Sequence, residues 1–118
     1  MKSVLLGAVM FNVFIGSLFS QPKNYSAGEL KLAIKKLSVL QSVLYIAAHP
    51  DDENTRLITY FANERLCRTA YLSITRGDGG QNLIGTETGD LMGILRTQEL
   101  LEARKIDGGQ QFFTRAID

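Results

Sequence analysis

The chain has 118 residues, 13 Lys and Arg against 12 Asp and Glu, and a net charge of +1. That length suits one modest domain, and so even a charge gives no electrostatic basis for binding nucleic acid or an acidic surface. Cys67 is the only cysteine, so no internal disulfide can form; it reads as a small apolar residue or thiol at a strand edge.

The first twenty residues differ from the rest. Lys2 supplies a short positive start, and Val4 to Phe19 is almost wholly apolar, broken by Asn12, Ser17 and two glycines. Ser20-Gln21 offers a cleavage point. The pattern predicts a secretory signal peptide over 1–20 and hence export, periplasmic or secreted, with no stable membrane anchor after cleavage. A permanent anchor is the rival, because the apolar run is little short of a span.

The segment 21–42 reads as a leader and a helix. Ser26-Ala27-Gly28-Glu29 fits a capping box. Leu30, Ala33, Ile34 and Leu37 follow at helical spacing, predicting a helix from about Ala27 to Val39. Val43 to Ala48 is a short apolar run that reads as a buried strand. Pro50 then suits the first turn of a second helix, which would set Asp51, Asp52 and Glu53 at its positive end. Leu57, Ile58, Phe61 and Leu66 supply its buried side. Arg68 to Thr75 reads as a second strand, so strand, helix and strand imply a right-handed parallel unit.

Arg76 to Gly89 holds five of the eleven glycines and is expected to be a functional loop at a strand's end. Leu91 to Ile106 has helical composition, stopped by Asp107-Gly108-Gly109. Gln111 to Thr114 begins a third strand. The fold expected is α/β, a Rossmann-like parallel sheet with flanking helices. Too few strands are present to close such a sheet, so the sequence is expected to be truncated, the N-terminal part of a longer protein.

The chemistry concentrates at His49-Pro50-Asp51-Asp52-Glu53. The only histidine stands at a strand's carboxyl end, where open α/β sheets bind ligands. Imidazole and carboxylate are a mixture that zinc accepts, and His/carboxylate sites also take other divalent metals. A zinc held by His49 and Asp52 needs at least one further protein ligand. Asp51 is placed to accept a proton from water, although a helix dipole would weaken it as a base. The plainer alternative has the three acids satisfying helix amides and His49 as a turn residue.

Ala48-His49-Pro50-Asp51-Asp52-Glu53 resembles the signature of the LmbE-like, or PIG-L-like, family of zinc-dependent de-N-acetylases. The resemblance continues through the Gly-rich Thr75-Arg76-Gly77-Asp78-Gly79-Gly80-Gln81-Asn82 loop and Arg96-x-x-Glu99-Leu100, covering about Val43 to Ile106. It implies a Rossmann-like fold over 43–118 and removal of an acetyl group from an N-acetylated sugar or glycoconjugate of the N-acetylglucosaminyl type. It makes His49 and Asp52 zinc ligands, Asp51 the general base and Arg96 a substrate-binding residue. Asp78 and its neighbouring glycines would border the pocket without a defined role.

One departure is large. The family's third zinc ligand is a histidine from a later segment, and this chain has none after His49. The leading expectation is therefore an exported zinc-dependent N-deacetylase, inactive as this fragment. The alternative is a non-catalytic carbohydrate-binding or interaction module with a vestigial metal site. A nucleotide-binding protein fits less well, because clustered acids in place of Gly-x-Gly-x-x-Gly repel a pyrophosphate.

Overall fold

Val43, Tyr45 and Ala47 alternate with Leu44 and Ile46, a period of two that gives a strand two different faces. The computed structural model describes residues 24–118, and the predicted signal peptide lies outside the described residues. Among the described residues, no helix is long and apolar enough to cross a membrane. The elements run in the order α1 (Ala27–Lys36), β1 (Ser42–Ala47), α2 (Thr55–Thr59) continuing into a π-helical turn (Tyr60–Glu64), β2 (Arg68–Ser73), α3 (Asp90–Asp107) and β3 (Gln110–Phe113).

The capping box forms as the sequence predicts. Ser26 donates from N and Oγ to Glu29 Oε2, each at 2.8 Å, and Glu29 N donates to Ser26 Oγ. The helix ends at Lys36, short of the predicted Val39. Its predicted apolar face stays open: Leu30, Ile34 and Leu37 are all exposed. The chain divides into two units at Lys31, and the sheet lies in Leu32–Asp118.

The three strands form one parallel sheet in the order β1-β2-β3, an α/β arrangement flanked by helices. Ser42 to Ala47 pairs with Arg68 to Ser73, and Ala70 to Ser73 pairs with Gln110 to Phe113. The register sorts the side chains. Tyr71, Ile58 and Leu100 make the buried cluster, with Tyr45, Ala47 and Phe113 packed on it. On the opposite face Leu44, Ile46 and Phe112 remain exposed.

Two helix ends show how the connections are fixed. The π-helical turn exits through Leu66 at φ 57, the only non-glycine among the described residues with positive φ. The chain then reverses into β2 with Cys67 N donating to Phe61 O at 2.9 Å. Cys67 is buried just ahead of the strand. The predicted stop of α3 holds: Gly108 adopts the left-handed conformation at φ 79 and donates to Arg104 O. A Cβ there would stand 2.9 Å from Asn63 Oδ1, so glycine answers both the backbone sign and the space.

Ile58, 1% exposed, is the aliphatic centre of this core. Ile58→Ala is expected to lower folding stability by roughly 2–5 kcal/mol. Leu83→Ala, at a side chain 92% exposed, should change it by less than about 0.5 kcal/mol. Urea melts of the two variants make the comparison; similar losses would contradict this placement of the core.

Candidate functional site

Parallel pairing outlasts the strands themselves. Ile74 N and Thr75 N donate to Ala47 O and Ala48 O, each at 2.9 Å. The chain after β1 and the chain after β2 therefore leave the sheet side by side. The first of these is the His49 turn and the second is the Gly-rich loop.

The His49 turn is closed by its own acid. Asp52 N donates to His49 O at 3.3 Å, and Asp52 Oδ2 accepts from His49 N at 2.9 Å. Two tyrosines hold it from the sheet. The Tyr71 hydroxyl donates to His49 O, and the Tyr45 hydroxyl donates to Asp52 O at 3.3 Å.

This turn corrects the expectation for the second helix. Pro50 does not sit in a helical first turn. α2 starts at Thr55, capped by Asn54, whose Oδ1 accepts from Leu57 N at 3.0 Å. Asn is a strong N-cap residue, and Asp52 has already committed its carboxylate to the amide of His49. Asp51, Asp52 and Glu53 thus precede the helix, and the dipole argument against Asp51 as a base lapses.

The His49 ring is engaged at both nitrogens. Nδ1 lies 3.1 Å from Asp52 Oδ2, and Nε2 lies 3.1 Å from Asp118 Oδ1. Ligand atoms at two corners of a tetrahedral zinc stand about 3.4 Å apart, given metal–ligand bonds of about 2.1 Å. His49 Nδ1 and Asp52 Oδ2, 3.1 Å apart, are close enough for two ligands of one metal, a separation that a direct hydrogen bond between them gives equally. Asp118 approaches the far side of the ring, so the two carboxylates do not converge. Among the described residues, no group of three His, Cys, Asp or Glu side chains is arranged to hold a metal ion.

Asp51 points to solvent, with 67% of its side chain exposed, and Arg96 Nη1 from α3 lies 3.4 Å from its Oδ2. His49, Asp51 and Arg96 line one cleft of about 490 Å³ together with Gly77, Gly79 and Asp118. The structure thus brings all four predicted site residues together at the strand ends, Asp52 through its contacts with His49. Asp78 instead lines a neighbouring cleft of about 400 Å³, with Arg76, Thr97 and Thr114.

The glycine of Arg76-Gly77-Asp78 has a specific cause. Gly77 has φ +72, and a Cβ there would approach Pro50 Cγ to 3.0 Å and Arg96 Cγ to 3.5 Å. The loop closes against the His49 turn only because this residue has no side chain. Sequence reasoning missed Asp118, which carries no local signal. It also missed the inward path of Glu53, whose side chain is 7% exposed and pairs with Arg104 at 3.2 Å.

Burial raises the Tyr71 phenol above its ordinary value of 10.0. The Ser73 side chain opposes this, the negative charges of Glu53 and Asp52 add to it, and Arg104 offsets part. The unfolded phenol ionises near 10. The neutral form favoured on folding therefore costs nothing below that pH, and stability falls only as pH rises above about 10. Tyr71→Phe should lower the urea midpoint at pH 8 by losing the His49 contact, and the gap from wild type should narrow above pH 10. A constant gap up to pH 11 would mean that the phenol ionises as freely as an exposed one.

Neither the models of known protein families nor the curated proteins match this chain.

Proposed function

We propose that the His49 cleft belongs to a metal-dependent hydrolase that removes the acetyl group from an N-acetylated sugar, as the resemblance to the LmbE-like and PIG-L-like family implies. The observation that carries this reading is the 3.1 Å approach of His49 Nδ1 to Asp52 Oδ2 at the end of a parallel strand, with an open Asp51 carboxylate beside it. In this reading His49 and Asp52 hold zinc or another divalent ion. The resemblance assigns the further ligand to a later histidine, which this sequence does not contain. The leader over 1–20 directs the protein to export.

When bound, zinc supplies a Lewis acid for the acetyl carbonyl and acidifies water. Asp51, 67% exposed against 45% for Asp52, is the carboxylate of the turn that would act as base. It accepts the water proton as oxygen adds to the acetyl carbon. The proton passes to nitrogen as the C–N bond breaks, so acetate and a free amine leave. Arg96 orients Asp51 through their ion pair and offers its remaining N–H groups to sugar oxygens. The turn holds its acids in place by backbone and tyrosine hydrogen bonds, which fixes the reacting groups before substrate arrives.

A second reading has its own observation. Asp118 engages His49 Nε2, and the described residues gather no three-ligand group, which suits a carbohydrate-binding module with a vestigial metal site. Acetate release from an N-acetylglucosaminide by the protein separates the two. On the hydrolase reading, Asp51→Asn lowers kcat by about 10²–10⁴-fold while zinc content is kept. Undiminished acetate release in that variant would remove Asp51 as the base. Sugar binding without turnover, equal in wild type and His49→Ala, would favour the binding module.

A further inference from the structure

Arg104 lies on α3 and is 5% exposed. Its guanidinium is the meeting point of four elements. Nη2 is 3.2 Å from Glu53 Oε1 and 2.6 Å from Asp107 Oδ2. Nη1 donates to Gln111 Oε1 of β3 at 3.3 Å. Cζ sits 5.4 Å from the centroid of the Tyr71 ring. Both carboxylates are as buried as the cation, at 7% and 5% exposure.

As a source of stability this cluster is poor. One guanidinium faces two carboxylates, Arg104 Nε is buried without a hydrogen-bond partner, and Asp107 Oδ2 meets the guanidinium at 2.6 Å without hydrogen-bond geometry. Buried ion pairs of this kind are commonly matched or exceeded in stability by apolar side chains of similar volume. What they do supply is direction, because a planar guanidinium fixes where each carboxylate lies.

The direction matters here because of what adjoins it. Glu53 follows Asp52 immediately, and Tyr71, under the same guanidinium, donates its hydroxyl to His49 O. The segment from Ala48 to Asn54 has no regular secondary structure. Glu53 is the acid of the His-Pro-Asp-Asp-Glu run that turns inward, while Asp51 and Asp52 stay exposed. One end of the turn is therefore pinned at His49 by Tyr71 and the other at Glu53 by Arg104.

We propose that Arg104 and Glu53 are positioning residues for the candidate site: their buried ion pair, with Tyr71, sets the orientation of His49 toward Asp52. The zinc consequence rests on the metal-hydrolase reading; the geometric consequence does not.

His49 is the only histidine, so its ring protons report the turn without ambiguity in an NMR spectrum of the metal-free protein. Two variants are compared with wild type. Glu53→Gln keeps shape and removes the charge. Glu53→Leu with Arg104→Met and Asp107→Asn removes all three charges and leaves the core neither an unpaired cation nor an unpaired carboxylate. Three quantities are read: the urea midpoint, the nuclear Overhauser effect between the His49 ring and the Asp52 β protons, and zinc affinity by chelator competition.

The expected result is a triple variant with a urea midpoint at or above wild type and a His49–Asp52 Overhauser effect at least severalfold weaker. Its zinc dissociation constant should be raised about 10–100-fold. Glu53→Gln, which folds with less risk, should weaken the same Overhauser effect. An undiminished effect in both folded variants overturns the proposal and leaves the network a purely structural one. Zinc binding unchanged by His49→Ala in wild type would instead sink the metal reading, and the metal-free Overhauser comparison would still decide the positioning role.

Discussion

The hydrogen bond from the Tyr71 hydroxyl to the His49 carbonyl joins the core to the chemistry. Tyr71 is fully buried in the middle strand. Its ring packs edge-on to Tyr45 at 5.8 Å and takes part in the cluster with Ile58 and Leu100. A buried phenol must place its O–H on an acceptor. Here that acceptor is the carbonyl at which the chain turns after β1. The apolar packing that stabilises the sheet therefore also sets where the only imidazole stands. Arg104, over the same ring, extends the control to Glu53 at the far end of the turn.

The parallel sheet accounts for the rest of the site. Strands that run the same way release their following loops at the same end. The His49 turn, the Gly77 loop and the segment that follows β3 all emerge there, and Asp118 meets His49 for that reason. The helix α3 follows the Gly-rich loop and contributes Arg96 near its middle and Arg104 a little more than two turns later. The first faces the open Asp51 and the second the buried Glu53. One helix thus reads both sides of the turn, which ties the exposed ion pair to the internal one.

Much of this fold was legible from pattern alone. The strands within Val43 to Ala48 and Arg68 to Thr75, the capping box at Ser26, and the Gly108 stop each rest on local rules that the structure obeys, but the first strand, expected to be buried, leaves Leu44 and Ile46 exposed on one face. The second helix misled because Pro50 followed by three acids satisfies the rules for a helix start, whereas Asn54 satisfies them better once Asp52 has bonded back to His49. The site residues His49, Asp51 and Asp52 were read from their chemistry at a strand end and Arg96 from motif resemblance, and the four share one neighbourhood. Glu53 and Arg104 were not paired in the sequence reading, because an ion pair across so many intervening residues leaves no periodic trace. Asp118 escaped for the same reason. The need for glycine at position 77 became visible only with Pro50 placed against it.

The central claim is that His49 and Asp52 grip one metal ion. Anomalous diffraction at the zinc edge, from crystals of the protein grown with zinc, tests it most directly. The account predicts one strong peak about 2.0–2.2 Å from both His49 Nδ1 and Asp52 Oδ2. Zinc bound only elsewhere, or no peak at the turn at saturating zinc, would contradict it.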